Sequence, residues 1–146
     1  MNELAAVFEK DLKKLKEEVL QYESEELLFS KAPGISNSGG NLSMHLCGNL
    51  RHFIGAILGN SGYVRNRPEE FEGRFSREKL ISDIDETREV LEKTLLGLSE
   101  AELSAIYPEK VFGGEMTTRY FLFHLLGHLN YHLGQINYHR RLITGK

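Results

Sequence analysis

Six histidines occur in the chain, and they fall in two places. His45 and His52 stand seven residues apart in one segment; His124, His128, His132 and His139 stand in another. If each segment is helical, the four in the second lie within an arc of about 80° and border its apolar stripe. Imidazoles at i and i+4 sit one turn apart, close enough to share a metal ion. A single imidazole on such a face is most often a core group hydrogen-bonded to a neighbour. Several together on a face that is partly buried are costly to satisfy that way, so the group points to metal binding. A third ligand must then come from the first segment. The run His128-Leu-Asn-Tyr-His132 lacks the glutamate of the zincin protease motif, with Leu129 in its place, which argues against metalloprotease chemistry.

Apolar periodicity supplies the elements that would carry these residues. Leu4, Phe8, Leu12, Leu15, Val19 and Tyr22 repeat at helical spacing and predict a first helix over 2–28. Pro33 and nearby glycines mark a loop. A second helix, capped by Asn41 or Ser43, should carry His45, Asn49 and His52 and fray near 59–62. Residues 63–74 read as a charged loop interrupted by Pro68. Ser76 caps a third helix that Gly97 stops, and 99–103 could add a short turn. Residues 111–116 could form a small hairpin before a last helix over 117–143, about 40 Å long. The expectation is an all-α four-helix bundle in one domain, 1–146, with connections long enough for an up-down order or a crossover.

Composition narrows the function. A net charge of −3 argues against a nucleic-acid binder. The single cysteine excludes an internal disulfide and a thiolate cluster, so any metal site must be built on imidazole. Cys47, about 200° round the helix from His45, should be a small buried residue facing away from a metal. Neither a basic, apolar signal segment nor an apolar run of about 20 residues is seen, and a cytoplasmic protein with no membrane partner is expected.

The segments Met44-His45-Leu46-Cys-Gly-Asn49-Leu50-Arg51-His52-Phe53 and His124-Leu-Leu-Gly-His128-Leu-Asn-Tyr-His132-Leu-Gly-Gln-Ile136 resemble the second and last helices of the DinB-like (DinB/YfiT) superfamily. Arg65-Asn66-Arg67-Pro-Glu-Glu-Phe71 further resembles an uncharacterised bacterial branch of it. The resemblance implies a four-helix bundle, often a homodimer, with one metal held by three histidines. Carried onto this chain, the ligands are His45, His128 and His132. His45 is preferred to His52 because it stands at the His-Leu position; His52 could line the same cavity, and His124 is the next candidate ligand. Asn49 and Gln135 could hydrogen-bond ligands or substrate. His139, near the helix end, reads as a cation favoured by the helix dipole. Arg51, Arg65 and Arg67 could meet an anionic substrate, but pairing with Glu69 or Glu70 is the commoner arrangement.

Three imidazoles leave a coordination position free, as in catalytic sites. Zn²⁺ suits the set first; Ni²⁺, Fe²⁺ and Mn²⁺ also accept imidazole. Some superfamily members transfer low-molecular-weight thiols such as bacillithiol or mycothiol, so the resemblance implies a metal-dependent thiol transferase acting on a small molecule. A metal-dependent hydrolase is the alternative, although Glu115, in the turn before the last helix, is the nearest carboxylate to the histidine motifs. A non-enzymatic metal- or ligand-binding stress protein is the third reading.

Overall fold

Asn2 caps the first helix, α1 (Glu3–Gln21), its side chain accepting from the Ala5 amide. The computed structural model describes residues 2–146, and its regular elements are all helical. Phe8, Leu12, Leu15 and Val19 form the buried stripe of α1. The helix stops sooner than its periodicity predicts. Tyr22 leaves helical geometry at ψ 135°, and Ser24 caps a separate short helix, α2 (Glu25–Leu28). Two bonds, one local and one to the last helix, accompany the break: Ser24 accepts from the Leu27 amide, and the buried Tyr22 hydroxyl meets His139 Nδ1 at 2.6 Å.

Helix α3 (Gly39–Leu50) begins two residues before Asn41, because Ser38 is the cap and accepts from the Asn41 amide. Glycine is required in this first turn. A Cβ on Gly39 would lie 2.1 Å from the Tyr22 hydroxyl, and one on Gly40 would lie 2.6 Å from the Phe29 ring. The helix then widens into a π-helical segment, Arg51–Ala56, whose wider turns are seen in the bonds from Ile57 to His52 and from Gly59 to Ile54. The expected loop over 63–74 contains a helix, α4 (Arg67–Glu72), capped by Asn66 with Pro68 in its first turn. Helix α5 (Arg77–Gly97) has Ser76 as its cap, as expected, and α6 (Glu100–Ser104) closes a capping box between Ser99 and Glu102.

The small hairpin over 111–116 does not form. A lone bridge joins Ile106 to Thr117, and within the segment the chain closes a turn instead, the Gly113 amide donating to the Lys110 carbonyl. Helix α7 (Thr118–Thr144) starts at the Thr117 cap and ends on Gly145 in the left-handed region at φ 74°.

Cross-helix pairs fix the directions. Asp11 meets Asn130 and Glu18 meets Asn137 and Arg140, so α1 and α7 run the same way. Asn2 reaches Leu95, Glu9 reaches Arg88 and Lys16 reaches Asp85, so α5 opposes α1. His45 faces His128 and Phe53 faces Phe121, so α3 opposes α7. Helices α3 and α5 are therefore parallel, and the chain between them must return along the length of the bundle. Of the two connection schemes, the protein adopts the crossover. The crossover carries α4 against α3 at the level of His45. No helix among the described residues is long and apolar enough to cross a membrane.

His139 corrects the sequence expectation of a helix-end cation. It is 2% exposed, with Nε2 bonded to the Ser30 carbonyl at 2.8 Å and Nδ1 facing the Tyr22 hydroxyl. Burial lowers its pKa, against the opposing pull of the Ser30 carbonyl. Folding thus favours neutral His139, and this stability is present above the unfolded histidine value of about 6.5 and lost as pH falls below it. His139→Gln should flatten the stability–pH curve below about pH 6.5, read by urea unfolding of metal-free protein across the acid range.

Candidate metal centre

Three imidazoles converge between α3 and α7. His128 Nε2 lies 3.2 Å from His45 Nε2 and 3.1 Å from His132 Nε2. The candidate ligand atoms of all three residues lie within 4.8 Å of one another. Four-residue spacing on α7 sets His128 above His132, and the antiparallel α3 delivers His45 to the same level.

Outer hydrogen bonds fix which nitrogens carry protons. His45 Nδ1 donates to Glu70 Oε1 at 2.9 Å, and His132 Nδ1 donates to Gln135 Oε1 at 2.7 Å. Both rings therefore present an Nε2 lone pair to His128 Nε2. At most one proton on His128 could sit between them, which leaves one of the two lone pairs unmatched. A cation matches all three. Ligands held at about 2.0–2.1 Å in a tetrahedron lie about 3.4 Å from one another, close to the spacing seen. Burial, with the neighbouring His132 and His45 rings, pushes the His128 pKa down to about 4. Burial also lowers that of His132, against the bond to Gln135. Both stay neutral at pH 7, as ligation requires.

Glu70, which the sequence reading offered only as an ion-pair partner for arginine, stands beside His45 at this centre. Its side chain is 6% exposed, and Arg65 grips it with two bonds of 2.8 Å. Burial opposes ionisation of Glu70, but the bonds from His45 and Arg65 and the guanidinium charge outweigh it and hold its pKa below the usual carboxylate range. The result is an Arg65–Glu70–His45 chain, in which the carboxylate fixes the tautomer and the aim of the imidazole. Phe71, also on α4, packs on His45 at 4.8 Å between ring centroids.

Gly48 makes room for this carboxylate, since a Cβ there would lie 2.0 Å from Glu70 Oε2. Gly48→Ala should therefore push Glu70 off His45 and weaken metal binding by about tenfold while the helical content holds. Competition with a chromophoric chelator, alongside far-UV circular dichroism, measures both.

The other candidates are placed differently. His124 is exposed, 6.4 Å from His128 between ring centroids, and packs against Phe112 and Phe121. His52 lies on the π-helical segment, edge-on to Phe53, outside the converging group. Asn49 is buried one turn beyond His45, with Oδ1 unpartnered among the described residues, as is His128 Nδ1. Cys47 is buried and its thiol is raised to about 12 by burial, which keeps it protonated. Arg51 pairs with Glu86, and Arg67 lies over the Phe71 ring.

Comparison with known proteins agrees with this architecture. The family model of the DinB superfamily matches residues 3–136. A conserved protein from Enterococcus faecalis superposes with a TM-score of 0.77 at 19% identity, over 98% of this chain and 96% of that one. A DinB-like protein from Bacillus cereus ATCC 10987 superposes with a TM-score of 0.71 at 17% identity, over 90% of this chain and 85% of that one. At such identities the likeness to these structures shows the fold alone. No curated protein matches the chain significantly.

Proposed function

Because the chain belongs to the DinB superfamily, we propose that it is a metal-dependent transferase that moves a low-molecular-weight thiol onto a small electrophilic acceptor. The observation that carries this reading is the convergence of three Nε2 atoms held by outer hydrogen bonds. In it His45, His128 and His132 hold one divalent ion, Zn²⁺ before Ni²⁺, Fe²⁺ or Mn²⁺. That ion supplies the positive charge that keeps a thiol as its thiolate near pH 7.

The protein's own groups do the rest. Glu70 and Gln135 each hold an Nδ1 proton and so keep an Nε2 lone pair aimed inward. Arg65 keeps Glu70 ionised and fixed. In the transfer a sulfur–carbon bond forms, the leaving group departs with its bonding electrons, and the thiol proton passes to solvent. Hydrolysis is less well supported. A free carboxylate base would assist it, and both oxygens of Glu70, the carboxylate at the centre, are engaged by Arg65 and His45.

The test is turnover by zinc-loaded protein of a panel of thiols (bacillithiol, mycothiol, glutathione, cysteine) against aryl halides and epoxides, followed by mass spectrometry of the conjugate. Thiol- and metal-dependent conjugation at least about tenfold above the protein-free rate is expected. Zinc-dependent turnover of esters or amides with no thiol present would replace this reading with the hydrolase.

A further inference from the structure

A groove of about 480 Å³ runs from His132 along α7, walled on its far side by the segment around Ile35 and by Leu42 of α3. It touches the candidate metal centre at one end only, through His132 and Gln135. Its lining contains no Asp, Glu, Lys or Arg. The cleft beneath the crossover on the other side of α3 is lined by Arg51, Glu69, Glu70, Lys79 and Asp83, so the lack of charge is particular to this groove.

The walls are aromatic and aliphatic. Tyr131 and Tyr138 follow each other at i and i+7 on α7, with Leu142 a further turn on, and the three are 65%, 67% and 69% exposed. His139, at the base, spends both ring nitrogens on Ser30 and Tyr22, so it offers the groove a satisfied ring face. Free hydrogen-bonding groups are the tyrosine hydroxyls and the side chains of Asn37 and Ser36 at the rim. Along its length the side chains of this groove offer an ionised ligand no counter-charge for the hydration it would lose. A flat, neutral ligand would cover exposed aromatic surface and still reach polar groups, as small-molecule sites do.

We propose that this groove binds a neutral aromatic small molecule and that this molecule is the acceptor substrate, presented to the centre at His132. Its role as acceptor rests on the transferase reading above; its binding in the groove does not. The two substrates then approach from chemically different sides, the uncharged acceptor along α7 and the thiol at the histidine cluster.

N-phenyl-1-naphthylamine, a neutral fluorescent aromatic, tests the binding, with anilinonaphthalene sulfonate as its anionic counterpart. Titration of zinc-loaded protein should saturate at one neutral probe per chain and favour it over the sulfonate at least tenfold. Leu142→Asp, a surface substitution that should not disturb folding, is expected to weaken the neutral probe more than tenfold, and Tyr138→Ala to weaken it several-fold. Leu20→Asp, at an exposed apolar position of α1 outside the groove, should leave it within about twofold. Saturable probe binding by protein that shows no zinc-dependent conjugation would overturn the transferase reading alone. Sedimentation at the same concentrations reports the competing occupant, a second copy of the chain over Tyr131, Tyr138 and Leu142. No saturable binding, equal or tighter binding of the sulfonate, insensitivity to Leu142→Asp, or a dimer that takes up the probe only when dissociated would each overturn the proposal.

Discussion

Alanine in place of His45, His128 or His132 is expected to reduce bound zinc from about one ion per chain to less than a tenth of that, in protein purified without a histidine tag and assayed by elemental analysis. The loss should exceed the 10–100-fold that removal of an outer hydrogen-bond partner usually causes, because a donor itself is removed. The three residues act as a unit: their candidate ligand atoms lie within 4.8 Å of one another, and no two of them surround an ion. His52→Ala and His124→Ala should keep full zinc, since neither joins the converging group. A second readout follows from linkage. Metal at 100 times its dissociation constant stabilises the folded protein by about 2.7 kcal/mol, or roughly 5–11 °C in melting temperature for a chain of this size. Wild-type protein should show that rise on adding zinc, and the three variants should not. Full zinc content in all three variants would mean that the metal binds elsewhere.

The histidines were legible in the sequence because helical geometry is regular. The spacing of His128 and His132 put both on one face, and α7 extends over the expected residues to within one at each end. The second helix was legible as an element but not at its ends. Asn41 is a good cap by type, yet Ser38 takes the role because Tyr22 and Phe29 pack so tightly over Gly39 and Gly40. The π-helical segment leaves no mark in an apolar period, so the relation of His52 to His45 could not be read from their spacing of seven. Reading His139 as a helix-end cation failed for a similar reason. The dipole argument is local, and what decides the charge is Tyr22, brought in from α1.

Pairing of Arg65 with Glu70 was legible, but the place of Glu70 beside His45 was missed although a signal for its helix was present. Asn66 followed by Pro68 and two glutamates is a helix-start signature, and it predicts a helix where the charges suggested a loop. What no local pattern could supply is the register of that helix against His45. That depends on α3 and α5 being parallel, which forces the connection back along the bundle and over the histidines.

Glu70→Ala is expected to have the largest effect outside the ligands, and on two quantities at once. Arg65 and His45 would both lose a buried partner, at a cost of about 3–5 kcal/mol in stability, and zinc affinity should fall about 10–100-fold as His45 loses its orienting acceptor. The two effects separate in a second variant. Arg65→Met with Glu70→Met replaces the ion pair by apolar groups of similar length, which restores packing and leaves no buried charge unpaired. Its stability should rise well above that of Glu70→Ala, short of wild type by about 1–3 kcal/mol for the His45 N–H left without a good acceptor, while zinc affinity stays depressed because a thioether accepts too weakly to replace the carboxylate. Urea unfolding of the metal-free proteins and chelator competition on the folded ones measure the two quantities independently. If the double variant regains zinc affinity together with stability, Glu70 serves only to hold α4 on α3. If affinity stays low while stability recovers, the carboxylate aims the imidazole, and the crossover that carries it is part of the metal centre.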